Sequence, residues 1–285
     1  MTTTAGFYDA IAPIYDEWQA WNGMTPFAMV AAVKLAATLE REARRKARGE
    51  PASFARRAPS REGPGTLPGF PSRSPRADPA APFAHLDLGC GTGTTLLELR
   101  RRHPDWRLAG VDGSRGMLAA ARAKPTADTI AWSQAQMGDP LPGAPRFDSC
   151  SILYDTLNHL TEPDAWTRAL RAVSEALQPG GLLIFDVTNR LGFERWWNSR
   201  NQFGGDDWEM TIASSFDPAG TLGTADVALA RPSGTTAFRL TERLYEPGEI
   251  RALVERAGFA IERCRSWAPF AQGGPGKTWW VGRKR

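Results

Sequence analysis

"HLDLGCGTGTTLLELRRRHPDWRLAGVD", residues 85–112, decides the fold. The run begins as a short apolar strand that ends at Gly89. Gly89, Gly91 and Gly93 follow within five positions, and a backbone without side chains can approach a ligand closely. "TTLLELRRR" then has helical spacing, and "WRLAGVD" is a second strand ending in Asp112. A strand that passes through Gly-x-Gly-x-Gly into a helix aims backbone N–H groups at whatever the loop holds. The dehydrogenase fingerprint places its third glycine three positions after the second. Thr94 stands there in this chain, and no recognisable Tyr-x-x-x-Lys pair follows, which argues against hydride transfer.

Strand and helix signals keep alternating downstream. "TIAWSQA", "FDSCSILY" and "GLLIFDV" read as strands. "SRGMLAAARAK", "PDAWTRALRAVSEAL" and, later, "PGEIRALVERAG" read as helices. Strands separated by helices of this length predict βαβ units, hence an α/β, doubly wound, Rossmann-like sheet that is mostly parallel. "FAIERCRSWAPF" and "KTWWVGRKR" supply two final strands and make the sheet seven-stranded. Residues 191–240 break the rhythm. "DWEMTIASSFD", "TADVALARP" and "TTAFRLTERLY" alternate with period two between turn residues, which predicts an inserted antiparallel β unit.

The N-terminal 40 residues read as a helical cap. Phe7, Ile11, Ile14, Tyr15 and Trp18 fall at helical spacing interrupted by Pro13, and a further helix is expected from Thr25 and Pro26 onward. Two Tyr-Asp pairs and two tryptophans give this cap more polar-tipped aromatics than packing needs, so a pocket-lining role stands beside plain packing. Residues 41–84 carry nine Arg and one Lys against four acids, with eight prolines from Pro51 to Pro82. Such a segment cannot bury enough surface to offset its chain entropy, and it is expected to be a mobile linker. It is either a tolerated insertion or a docking tail for an acidic partner. The domain reading is therefore 1–40 cap, 41–84 linker, 85–190 with 241–285 ligand-binding domain, and 191–240 β insertion.

The net charge of +4 resides in that linker, and the remainder is close to −2. That distribution gives no basic stripe for nucleic acid. No run of 18 apolar residues predicts a membrane span. The first residues lack a basic and then apolar leader, and three cysteines (Cys90, Cys150, Cys264) are too few for a disulfide framework. A cytoplasmic chain is expected, and no Cys/His spacing points to a metal.

"HLDLGCGTG" and "LAGVDGSRGMLAAARAK" resemble the first two motifs of the class I S-adenosylmethionine-dependent methyltransferases, and "FDSCSILYDTLNHL" and "LQPGGLLIFDV" resemble later ones. The resemblance covers about residues 85–190 and resumes at "RLYEPGEIRALVERAGF". Within the family the chain is similar to small-molecule enzymes, of the amino-sugar N,N-dimethyltransferase and glycine N-methyltransferase types. The resemblance implies S-adenosyl-L-methionine as cofactor. Gly89, Cys90 and Gly91 would offer backbone to its methionine part, with Asp87 ordering the loop or meeting the ammonium. Asp112 would take both ribose hydroxyls, with Gly113 beside it. Met117 matches a position near the adenine. Gln136, before Met137, stands where the family usually has an acid, and its amide oxygen can still accept from the adenine amino group. Tyr154 falls where the family sets residues against the methionine chain and acceptor.

Methyl transfer needs alignment and exclusion of water more than it needs an acid, though a base helps when the acceptor is a protonated amine. His159 in "YDTLNHL" is the candidate base, against the reading of a helix-surface residue, because related amino-sugar enzymes carry His there. Tyr15 matches a tyrosine that in the family reaches cofactor and acceptor. Asp155 and Asn158 are alternative acceptor contacts. Trp196, Trp197 and Trp208 are expected either to floor an acceptor pocket or to make a lid or dimer contact. The expected activity is methylation of a nitrogen or oxygen of a small-molecule acceptor. RNA or protein acceptors and a non-catalytic cofactor binder remain as alternatives. Against a nucleic-acid amide target, residues 154–157 read Tyr-Asp-Thr-Leu and not Asn/Asp-Pro-Pro-aromatic. The inserted strands offer a surface for a homodimer.

Overall fold

A computed structural model describes residues 4–21, 41, 82–141, 147–267 and 276–285. The helix expected from Thr25 and nearly all of the Arg/Pro-rich linker lie outside the described residues.

The chain opens with helices α1 (Thr4–Ile11) and α2 (Tyr15–Trp21), joined by a 3-10 turn at Ala12–Ile14 where Pro13 interrupts the helix. Strand β1 (Ala84–Leu88) is buried along its whole length. It continues into α3 (Thr94–Arg102), β2 (Arg107–Asp112), α4 (Arg115–Arg122), β3 (Ala131–Gln134) and β4 (Phe147–Ile152). Helix α5 (Pro163–Ala176) starts with Pro at its first turn, where no hydrogen bond is lost. It buries Trp166, Ala169, Leu170 and Val173, the one-sided stripe of a helix lying on a sheet. Strand β5 (Leu177–Thr188) and the short α6 (Arg190–Trp196) lead into the insertion, which comprises β6 (Ser199–Gly204), β7 (Glu209–Phe216), β8 (Leu222–Arg231) and β9 (Gly234–Arg243). Helix α7 (Pro247–Arg256), β10 (Phe259–Trp267) and β11 (Lys277–Lys284) complete the chain.

The strands form a seven-stranded sheet in the order β10-β11-β5-β4-β1-β2-β3. Only β11 runs against its neighbours. The strand order reverses at β1, between β4 and β2, and in doubly wound sheets ligands bind at the carboxyl end of that switch point. The insertion is a separate antiparallel sheet, β6-β7-β8-β9. It has one strand more than the alternation pattern shows: β6 reads "SRNQFG", too polar to stand out.

The N-terminal cap joins the two sheets. Phe7, Ile11, Ala12 and Ile14 pack with Met117 of α4 on one side and with Met210, Val227, Leu229 and Phe238 of the inserted sheet on the other. Each side alone would leave an apolar face in water, so the cap is held in place by both. Among the described residues no helix is long and apolar enough to cross a membrane.

Candidate functional site

A cavity of about 930 Å³ opens at the carboxyl ends of β1, β2 and β4, under the cap. Its floor is the glycine loop. Gly89, Gly91 and Gly93 all have positive φ (75°, 54° and 75°), a conformation that costs any other residue energy. Around Gly91 there is no atom within 4 Å of where a Cβ would stand, so the loop leaves open space on its cavity side. Asp112, at the end of β2, faces the same space. Its Oδ2 accepts from the Gly91 N–H (2.8 Å) and its Oδ1 from the Ser114 N–H (2.8 Å). A carboxylate has about four acceptor positions, so these bonds leave capacity for a diol. Burial holds the Asp112 pKa above the ordinary value, against those two hydrogen bonds.

Asp87 lies deeper on the same wall, 3% exposed. Burial pushes it up to about 7, and the charge of Asp112 adds to this, while a hydroxyl donated by Ser151 pulls the other way. Gln136 lies over Gly113, where a Cβ would stand 2.8 Å from its Oε1. Its backbone N–H donates to Asp139 (2.9 Å), which fixes the turn. Cys90, Met117, Met137 and Tyr154 complete this end of the cavity. The expected cofactor-binding residues are thus assembled around one space.

The cap closes the other end, and the two Tyr-Asp pairs explain how. The tyrosines, seven residues apart, both line the cavity. Each following aspartate ties the cap to the loop end. Asp9 Oδ1 accepts from Ser114 Oγ (2.7 Å) and from the Gly116 N–H (2.8 Å) at the start of α4. Asp16 accepts from Thr92 Oγ1 (2.7 Å) and pairs with Lys124 (2.6 Å). Tyr15 stands edge-on to Tyr8, and burial raises both phenol pKa values. Tyr8 was not singled out from the sequence, although the repeated pair was its signal.

His159 meets Tyr8 across the cavity: its Nε2 is 3.0 Å from the Tyr8 hydroxyl. Burial lowers the imidazole pKa, against the pull of Asp155, so the ring is neutral near pH 7. The Tyr8 proton is firmly held, so Tyr8 O–H donates and Nε2 accepts. Glu242 of β9 lies 3.9 Å from the same nitrogen and is a second residue that sequence patterning did not mark.

A strained turn carries His159. Tyr154 and Asp155 both have positive φ (61° and 53°), which costs roughly 1–3 kcal/mol per residue. Asp186 holds the turn by accepting from the Tyr154 N–H (2.6 Å) and the Asp155 N–H (3.2 Å). Lys277 of β11 sits between the two carboxylates, 3.1 Å from Asp186 and 3.2 Å from Asp155.

Five expected contacts are placed elsewhere. The Asp155 carboxylate is taken by Thr188 and Lys277. Asn158 is fully buried and bonds the Thr188 and Arg243 backbones. Both residues shape the turn and do not line the cavity. Trp196 packs over Gly276, Trp197 stacks on Phe193, and Trp208 is buried against the cap with its indole N–H on Glu17 (3.1 Å). None of the three floors the cavity: the paths of α6 and the inserted sheet turn Trp197 and Trp208 into packing and leave Trp196 at the surface. The aromatic wall comes instead from Tyr8, Tyr15 and Tyr154. Among the described residues no group of His, Cys, Asp or Glu could hold a metal ion.

Residues 86–181 match the family described as methyltransferase domain. A methyltransferase-named protein of Geobacillus is 39% identical over 104 residues, 36% of this chain and 41% of its own length. The chain thus spans about two fifths of that relative. A sugar N-methyltransferase of Streptoalloteichus is similar in structure, with TM-score 0.53 and 26% identity over 72% of this chain and 81% of that one. An amino pentose methyltransferase of Micromonospora echinaspora, solved with S-adenosylmethionine bound, gives TM-score 0.59 at 19% identity and covers 95% of this chain and 97% of its own. The fold is that of the class I methyltransferases.

Proposed function

We propose, from residues 86–181 belonging to the methyltransferase domain family, that this protein uses S-adenosylmethionine to methylate the nitrogen of a small-molecule amine. The observation that carries the reading is the Tyr8–His159 pair opening onto the cavity that Asp112 and the glycine loop floor.

The residues present fit the cofactor. Asp112 has acceptor capacity for the ribose hydroxyls, the backbone at Gly91 leaves open space, and Asp87 gives the amino-acid end a carboxylate. Gln136 and Met117 would flank the adenine. When bound, S-adenosylmethionine supplies a methyl group on a positively charged sulfur, open to in-line displacement. The chain's own task is to present a neutral nitrogen to it. An amine near pH 7 carries an extra proton, and that proton has to leave first. Tyr8 O–H can pass its proton to His159 Nε2 as it takes one from the acceptor. Asp155, which Lys277 and His159 keep ionised in spite of burial, stabilises the imidazolium that results. The three tyrosines and Leu160 keep water from the nitrogen.

Charge argues against a carboxylate acceptor. Of the cavity's acids, Asp87 and Asp112 are assigned to the cofactor, and Asp16 and Glu98 stand in ion pairs. Among its described lining residues, the cations Lys124 and Arg101 are already paired, with Asp16 (2.6 Å) and Glu98 (2.8 Å). A carboxylate acceptor would meet no spare cation in that set. The similarity to a sugar N-methyltransferase agrees with nitrogen as the acceptor atom.

The test is turnover with S-adenosylmethionine and a panel of amino sugars, simple amines, alcohols and carboxylic acids, read as S-adenosylhomocysteine formed and as a methyl gained by mass. Turnover confined to amines is expected. Turnover confined to carboxylic acids or alcohols would overturn the acceptor assignment.

A further inference from the structure

One cluster in the core takes no part in the scheme above. β1 and β4 run side by side with His85 opposite Ser149 and Asp87 opposite Ser151. All four side chains share one face, because partners in a parallel pair point the same way. His85, Ser149 and Ser151 are fully buried, and Asp87 alone reaches the cavity. His85 Nδ1 is 2.8 Å from Ser149 Oγ, His85 Nε2 is 3.0 Å from Ser151 Oγ, and Ser151 Oγ bonds Asp87 Oδ1. Apolar residues surround the row: Leu182 and Ile184 beside the serines on β5, Leu108 beside His85 on β2, and Leu96 and Leu99 of α3 in the cluster over it.

With Asp87 ionised, counting protons fixes the direction of every bond. An ionised Asp87 only accepts, so Ser151 must give it its single hydroxyl proton. Ser151 Oγ is then free only to accept, so His85 Nε2 carries the hydrogen. Nδ1 is then bare and accepts from Ser149. Burial holds the His85 pKa down to about 3, so the ring stays neutral and has one hydrogen to place.

We propose that Ser149, His85 and Ser151 form a one-way hydrogen-bond chain that holds Asp87 ionised and oriented for the ammonium group of the cofactor. His85 touches no ligand in this scheme; it is a positioning residue, acting through Ser151. The inference rests on the cofactor reading of the cavity. Hydrogen bonds in such a row polarise one another, and a dry surrounding strengthens them. The chain offsets part of what burial and Asp112 do against the charge on Asp87. The other titratable groups near Asp87 are Cys90 of the glycine loop, Tyr154 and, on the opposite face of the sheet, Cys150 of β4, and burial keeps all three protonated. With no cation among them, Ser151 is the neighbour that favours the ionised carboxylate.

Two measurements test this on the full chain. With three histidines in the sequence, nitrogen-15 spectra can resolve His85 in the complex with S-adenosylhomocysteine. A neutral ring with its hydrogen on Nε2 is expected, unchanged through the neutral pH range. Hydrogen on Nδ1, or an imidazolium, would overturn the chain. Second, calorimetry compares S-adenosylhomocysteine with methylthioadenosine, which lacks the amino-acid end. Ser151→Ala should weaken the first about tenfold or more, as loss of a hydrogen bond to a charged group does, and change the second less than twofold. Wild-type affinity for S-adenosylhomocysteine should fall as pH drops through about 7, and Ser151→Ala should move that midpoint upward. Equal effects on both ligands, or none, would overturn the proposal. If Ser151→Ala does not fold, the spectra of the wild-type chain decide. A wild-type chain that binds methylthioadenosine but not S-adenosylhomocysteine would remove this inference alone, and one that binds neither would remove the cofactor reading with it.

Discussion

Replacing Asp112 by alanine separates binding from stability, because the structure assigns this carboxylate a cost in the folded state. Its two ribose bonds would be charge-assisted, each about 1.5–3 kcal/mol, which sum to roughly 3–6 kcal/mol. At 1.4 kcal/mol per tenfold, Asp112→Ala should weaken S-adenosylhomocysteine by about a hundredfold to ten-thousandfold. Stability should move little or rise. Burial lifts the folded-state pKa of Asp112 above its unfolded value. An acid shifted that way weakens the fold as pH rises through its unfolded value, and the penalty is fully present once pH exceeds the folded value. Removing it relieves that penalty and leaves the Gly91 and Ser114 N–H groups beside an open cavity, where water can replace the carboxylate. Asp112→Asn should behave nearly as badly in binding, because one of its two faces would turn an NH₂ toward a backbone N–H. Isothermal calorimetry at pH 7.5, with thermal melts of the ligand-free proteins, measures both. Affinity within threefold of wild type in Asp112→Ala would refute the ribose assignment. A melting point more than about 5 °C lower would refute the claim that the residue is kept for binding at the expense of the fold.

His159→Gln should cut turnover about a hundredfold or more, as loss of a general base does, with cofactor affinity unchanged; Tyr8→Phe should do the same if the proton passes through its hydroxyl. In the wild type, turnover should rise with pH through a midpoint below the usual imidazole value, since burial disfavours the protonated ring, and this rise should vanish in His159→Gln. Lys277→Met leaves Asp155 and Asp186 as buried carboxylates without a cation, and should cost about 3–5 kcal/mol of stability by urea denaturation; a loss under 1 kcal/mol would mean that the turn at Tyr154 is held by other means. Trp208→Phe keeps most of the buried area but drops the bond to Glu17, so a loss of about 1 kcal/mol is expected, with a rise in KM for the acceptor if the cap loosens.

That the residues proposed for the cofactor share one space was legible in the sequence because they are local. Loop, helix start and the acid at the end of the next strand lie within residues 85–117, and backbone rules alone give their arrangement. The seven-stranded sheet was legible for a related reason, since alternating strand and helix periods fix a doubly wound topology. β6 was missed because an exposed strand has no apolar alternation to show. The tryptophans were left between two readings because large aromatics at a turn are equally suited to a pocket or to a packed corner, and only the path of α6 and of the β6–β7 turn decides which.

The acceptor end was legible only in part: the resemblance marked His159 and Tyr15 but not Tyr8, Glu242 or Lys277, and the reason is physical. Tyr8, His159 and Glu242 come from the cap, from the turn after β4 and from the inserted sheet, more than eighty residues apart in each case. Lys277 comes from the last strand. The contacts that bring these residues together run between segments far apart in sequence, so no local period records the cluster. What the sequence does record is the device that brings the cap over the cavity. In each Tyr-Asp pair the carboxylate satisfies groups at the edge of the cofactor site: a serine hydroxyl and a glycine N–H in one, a threonine hydroxyl and a lysine in the other. Two anchors seven residues apart, one on α1 and one on α2, fix both position and rotation of the segment, and a cap fixed in that way carries the adjacent tyrosines into the cavity. A pair with the aspartate alone would close the lid without presenting a hydroxyl, and a pair with the tyrosine alone would leave the hydroxyl on a segment free to turn. On the proposed function, the seven-residue repeat is the sequence signature of the acceptor side, with the acceptor's nitrogen beneath Tyr8 and within reach of His159.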